Sequence, residues 1–199
     1  MIQVKGFTYP SMIFLAFDSG KHKSTFTNPK DMNKISNLRD LFIEQGRELY
    51  NSNYQEIVEL PDIERQVTSL ELKKIIHKQY IKAQYQQFRI KDLFEKINAS
   101  PDGEKCEITE SIIKKTLSQI RRSTVASVRD AGIISLIQML NHRKIAGLGS
   151  LTAYAREIDQ EQSAKSLHEA LVDEKEIDEE LSELAENEIN KMAKTAIFA

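Results

Sequence analysis

Acids, histidines and one lysine are the residues best equipped for chemistry in this chain, and their spacing decides which chemistry is open to them. Glu169, Asp173, Glu174, Asp178 and Glu179 crowd into one stretch near the C-terminus. Hard cations such as iron and manganese take oxygen ligands. A pair of them held between helices needs inward acids from every wall, with Glu-x-x-His pairs on two of the walls, because a three-residue spacing keeps both side chains on one face. No Glu-x-x-His exists here: His77, His142 and His168 each lack an acid three or four residues away in either direction. No Asp or Glu occurs from Leu72 to Lys91, nor from Ala131 to Arg156. Cys106 is the only cysteine, which excludes an internal disulfide and a multi-thiolate metal site and fits a reducing compartment. Gly147 and Gly149 make a lone Gly-x-Gly with no strand before it, so they read as a bend or the close approach of a neighbouring helix rather than a phosphate cradle. Nucleophile–base pairs, P-loops and zinc spacings are absent, and catalysis by side chains has no visible carrier.

The elements that must position these residues are helical. From Ser36 onward, Leu38, Leu41, Phe42, Leu49 and Ile57 recur at three and four, with Ser36 or Asn37 as N-cap, and this first helix is expected to stop near Glu59, ahead of Pro61. Ser69 caps a second long helix carrying Leu72, Ile75, Ile76, Ala83, Ile90, Leu93, Phe94 and Ile97 to the turn at Asn98–Gly103. A short amphipathic helix over about Glu107 to Ile120 precedes a long one from about Val125 to Glu157. A last helix is expected over about Glu161 to Met192 on Leu167, Leu171, Ile177, Leu181 and Leu184. The pattern predicts an all-α antiparallel four-helix bundle with one extra short helix between the second and third long ones. Residues 34–194 form the bundle and 195–199 a C-terminal tail. Residues 1–33, where two short β-like runs (Ile2 to Tyr9, Ser11 to Phe17) can be drawn, read as a peripheral or poorly ordered extension.

Composition bounds the rest. In 199 residues there are only 7 Gly, 4 Pro and no Trp, which favours long helices in a single compact unit. Lys plus Arg number 28 against 30 Asp plus Glu, a formal charge of −2, so no field draws nucleic acid or an anionic membrane. Arg121, Arg122 and Arg129 read as a solvated connection between helices. The apolar run Met12 to Phe17 is too short for a membrane span and has no basic region before it, and a cytoplasmic location is expected.

Several stretches resemble one family. Leu38-Arg-Asp-Leu-Phe-Ile and Glu48-Leu-Tyr50 are similar to the opening helix of the YciF/YciE-like family of ferritin-like stress proteins. Glu104-Lys-Cys106, Ile145-Ala-Gly-Leu-Gly-Ser-Leu151 and Leu167 to Leu184 agree with it in order and spacing, over about Asn33 to Glu188. The resemblance implies a bundle related to ferritins, stress-associated, usually a homodimer and presumed to bind metal. Where the family pattern carries Glu or His, this chain reads Gln45, Asn53, Gln79, Gln84, Asn141 and Lys144. The expected consequence is a degenerate di-iron site with no cofactor, and a structural or partner-binding role rather than catalysis.

Glu174 falls in the apolar stripe of the last helix with Asp178 on its edge, while Lys144 falls between Leu140 and Leu148. An unpaired buried charge costs several kcal/mol. The parsimonious arrangement therefore pairs the Lys144 ammonium with Glu174, Asp178 or both, with amides from Gln45, Gln79 and Asn141 completing a polar cluster. In the competing arrangement Lys144 snorkels to the surface along its apolar stem. The alternative function is an iron- or manganese-binding oxidase or peroxidase, with Glu48 or Glu56 joining Glu174 and Asp178 as ligands.

Overall fold

The computed structural model describes residues 34–195; the expectations for residues 1–33 lie outside it, as do those for all but the first residue of the tail. Its elements are α1 (Leu38–Gln66), α2 (Leu70–Lys96), the short α3 (Glu107–Arg121), α4 (Ala126–Glu157), α5 (Glu161–Leu184), a π-turn (Ala185–Ile189) and α6 (Asn190–Thr195). Asn37 caps α1 by accepting from the Asp40 amide at 2.9 Å, and Ser69 caps α2 through the Leu72 amide at 3.3 Å. Asn98 then ends α2 in the left-handed region at φ 51°, a conformation Asn tolerates, and the Ala99 amide turns back to the Phe94 carbonyl.

Two departures from the periodicity have physical causes. Helix α1 runs through Pro61 to Gln66 instead of stopping near Glu59. Pro inside a helix costs about 3 kcal/mol, but Leu60, Ile63 and Val67 are buried by the added turns, and each such burial is worth about 1.5–3 kcal/mol. At the other end, the expected unbroken helix to Met192 is interrupted by the π-turn. The buried stripe Ala170, Glu174, Ile177, Leu181 would continue through 184 or 185 to position 188, which is Glu; the wider turn instead delivers Ile189 inward at 1% exposure.

The chain direction follows from cross-helix contacts. Helix α1 lies antiparallel to α4, since Gln66 receives a hydrogen bond from Arg129 while Leu49 faces Gly147. Helix α2 lies antiparallel to α5, with Lys78 on Glu180, Lys82 on Asp173 and Arg89 near Glu169. Helix α2 folds back antiparallel on α1, with Asn53 donating to the Ala83 carbonyl and Arg39 to the Ile97 carbonyl, so α2 and α4 run the same way. A single long crossover holding α3 joins them, and the four long helices close into an antiparallel bundle with one extra short helix. Asp130 clamps the α1–α2 turn to the start of α4: its carboxylate accepts from the Thr68 hydroxyl at 2.6 Å and the Ser69 amide at 2.9 Å. Close helix approach is needed at Gly46, where an added Cβ would meet the Phe94 ring at 3.0 Å. It is not what Gly147 or Gly149 provides: a Cβ there would make an ordinary 3.7 Å contact in one case and none in the other.

The core has two apolar regions. One gathers Leu60, Ile63, Leu72, Ile76, Ile133, Ile137, Leu140, Ile177 and Leu181; the other gathers Phe42, Leu49, Ile90, Phe94, Leu148, Leu151, Ala155 and Leu167. Between them lies a polar layer.

Candidate functional site

Every long helix contributes to this layer, and each contribution sits on its helix's buried stripe. Asn53 and Glu56 come from α1, Gln79 and Gln86 from α2, Asn141 and Lys144 from α4, and Glu174 from α5; all are 3% exposed or less. Asn53 and Glu56 share a helical face by their three-residue spacing, and so do Asn141 and Lys144.

Lys144 is the centre. Its Nζ donates to Glu174 Oε1 at 2.9 Å and lies 2.7 Å from Glu56 Oε2, with the ammonium at 0% exposure. The two carboxylates are not equivalent. Glu174 is satisfied at both oxygens, because Oε2 accepts from Gln79 Nε2 at 3.2 Å, with the Asn141 amide at the same distance. Glu56 meets the ammonium at Oε2 alone, and neither of its oxygens has another donor. Burial pushes the Glu56 carboxyl up, the neighbouring Glu174 charge adds to this, and Lys144 opposes both. Burial would pull Lys144 down, yet the Glu174 and Glu56 charges outweigh it and hold the ammonium above its ordinary value.

The expected cluster is therefore assembled in part. Gln79, Asn141, Lys144 and Glu174 meet as the stripes require. Gln45 does not join them: the buried stripe of α1 runs through Phe42, Gly46, Leu49 and Asn53, and Gln45 turns aside to line a shallow surface cavity with Glu48 and Arg143. Asp178 follows Ile177 and is rotated off the stripe, where it faces His142 Nε2 at 3.3 Å rather than Lys144. Snorkelling does not occur, since Lys144 is fully enclosed. Glu56, read from the sequence only as an alternative ligand, is the second carboxylate on Lys144; its place in Asn53-x-x-Glu56, matching Asn141-x-x-Lys144, is the signal that could have found it. Glu48 pairs instead with Arg143 at 2.5 Å.

Arg143 holds a second polar cluster beside the layer. It donates to Ser52 Oγ at 2.6 Å and to Cys106 Sγ at 3.1 Å, and Ser52 in turn meets Thr109 at 2.7 Å, so α3 is docked against α1 and α4 by polar contacts.

A di-metal site does not fit this donor set. The layer offers two carboxylates and no histidine, and a protonated lysine, which cannot ligate, stands between the carboxylates. Among the described residues no group of three or more His, Cys, Asp or Glu side chains could hold a metal ion. None of their helices is long and apolar enough to cross a membrane.

Comparison with known proteins agrees with this architecture. Residues 37–194 match the family described as Domain of unknown function (DUF892). Protein YciF of Escherichia coli K12 is 29% identical over 160 residues, covering 80% of this chain and 96% of that protein. The crystal structure of the E. coli stress protein YciF superposes with a TM-score of 0.74 at 29% identity, covering 79% of this chain and 99% of that one. YcfI from Rhodopseudomonas palustris superposes at 0.72 with 26% identity, covering 76% of this chain and 96% of its own.

Proposed function

The chain belongs to the DUF892 family of YciF-like proteins, and on that premise we propose that it is a ferritin-like, stress-associated bundle with a degenerate di-iron site and a structural or partner-binding role. The observation that carries the proposal is Lys144, whose ammonium stands within 3 Å of both core carboxylates and supplies the positive charge that bound metal would otherwise supply. Two further features support it. A single long crossover is the connectivity of ferritin-like bundles. The layer also resembles the layout of a di-iron centre, with i, i+3 pairs on α1 and α4, Gln79 and Gln86 on α2 and Glu174 alone on α5, while amides and a lysine replace most of the ligands. A carboxylate-poor, lysine-filled layer leaves the alternative metal-dependent oxidase without a complete coordination sphere.

A homodimer is the partner this reading favours. Tyr54 and Val58 of α1 and Ile81, Tyr85 and Phe88 of α2 are 38–71% exposed and lie on the outward faces of adjacent helices, as surfaces that meet a partner do. A single cysteine suits a reducing, cytoplasmic setting. The test is elemental analysis of protein purified from iron- and manganese-rich culture, with ferroxidase and catalase assays on the same sample. The expected result is well under one metal per chain and neither activity; two tightly bound metals per chain would overturn the proposal.

A further inference from the structure

With both of its carboxyls ionised, the polar layer would hold one more negative charge than it can balance. Lys144 carries one positive charge, Glu56 and Glu174 carry two negative ones if both are ionised, and all three are enclosed at 0–2% exposure. The charged groups that bear on Glu56 are Lys144 and Arg143 from α4 and Glu174 from α5; α2 brings only amides to the layer. Arg143 does not close the balance, because its guanidinium already serves Glu48, Ser52 and Cys106. An excess charge sealed from water is far costlier than a neutral acid in the same place.

The hydrogen bonds say which carboxyl gives way. Glu174 has donors at both oxygens, as an ionised carboxylate should, whereas Glu56 has only the shared ammonium beside Oε2 and no donor at Oε1. One turn before Glu56, Asn53 Oδ1 is a buried acceptor without a donor, the kind of partner a carboxylic O–H can use. We propose that Glu56 holds a proton at neutral pH, so that the layer consists of a Lys144–Glu174 ion pair beside a neutral acid, and that losing this proton loosens the bundle. The layer is then a proton-linked latch, a regulation of the same site that rests on the metal-free reading above.

The sign follows from linkage. A carboxyl raised above its unfolded value of 4.5 makes the folded chain bind more protons than the unfolded one, so its contribution is complete below pH 4.5 and declines as pH rises toward the folded value. Lys144, raised above 10.5, contributes fully below that pH and loses its contribution only at higher pH, so a comparison kept below pH 10.5 isolates Glu56.

The experiment compares wild type with Glu56→Gln and Glu174→Gln by chemical unfolding across this range, with infrared spectra of the carboxyl region and metal content measured on the same samples. Glu56→Gln imitates the protonated acid and is expected to fold and to match or exceed wild type at neutral pH. Its advantage should grow with pH, up to about tenfold in the unfolding constant per pH unit. Glu174→Gln should be strongly destabilised. Wild type should also show a protonated carboxylic acid band at neutral pH that Glu56→Gln lacks. A metal-free Glu56→Gln that is destabilised as much as Glu174→Gln, or that fails to fold, or a wild-type spectrum without the acid band, would overturn the proton assignment alone. One or more bound metals per chain would instead overturn the reading on which it rests.

Discussion

The same four helices build both the apolar ends of the bundle and the polar layer between them, yet the two regions are held by different physics. In the ends, Ile76, Leu140, Ile177 and Phe94 are at most 2% exposed, and their contribution follows from area removed from water, almost indifferent to pH or salt. In the layer, Lys144, Glu56 and Glu174 are buried just as deeply, but Lys144 and Glu174 are stable only as a pair, because either charge is costly without the other, and Glu56 is stable there only while it keeps its proton. Burial in the first region is additive and forgiving of conservative change. Burial in the second is conditional on partners and on protons.

The sharpest way to break this contrast is to remove one member of the pair. Lys144→Ala leaves Glu56 and Glu174 without their shared cation and should cost about 3–5 kcal/mol in chemical unfolding. An apolar truncation of similar depth, Ile76→Ala, should cost about 2–5 kcal/mol, with no dependence on pH beyond that of wild type. Replacing Lys144, Glu56 and Glu174 together by Met or Leu should cost far less than Lys144→Ala alone, within about 1 kcal/mol of wild type or better, since the desolvation penalty goes with the charges. The smallest effect on folding is expected at the surface. Phe88→Asp, at 71% exposure, should leave unfolding stability within about 0.5 kcal/mol of wild type while abolishing the proposed dimer in sedimentation velocity.

How much of this is legible from sequence depends on how local each determinant is. The caps at Asn37 and Ser69 and the three-and-four spacing of Leu72, Ile76 and Phe94 are local, and they place the starts of α1 and α2 within a residue or two. Pro61 misleads because what overrides it is tertiary: burial of Leu60, Ile63 and Val67 against other helices. The π-turn is legible only once the stripe is known to need Ile189 rather than Glu188 inward. Within the layer, Lys144 and Glu174 can be found because each interrupts an apolar stripe. The role of Glu56 cannot be read this way: Lys144 follows it by 88 positions, and only packing of α1 on α4 makes it a partner. Asp178 shows the converse, since one residue of helix rotation separates the layer from a half-exposed contact with His142.

The most direct test of the account is a double-mutant cycle between Lys144 and Glu174, read by equilibrium unfolding at neutral pH. If a buried ammonium balances the core carboxylate, the coupling should exceed about 1 kcal/mol, and Glu174→Gln should lose most of its effect once Lys144 has been replaced by Met. Additive effects with coupling near zero, and Lys144→Met behaving like an ordinary surface change, would contradict it.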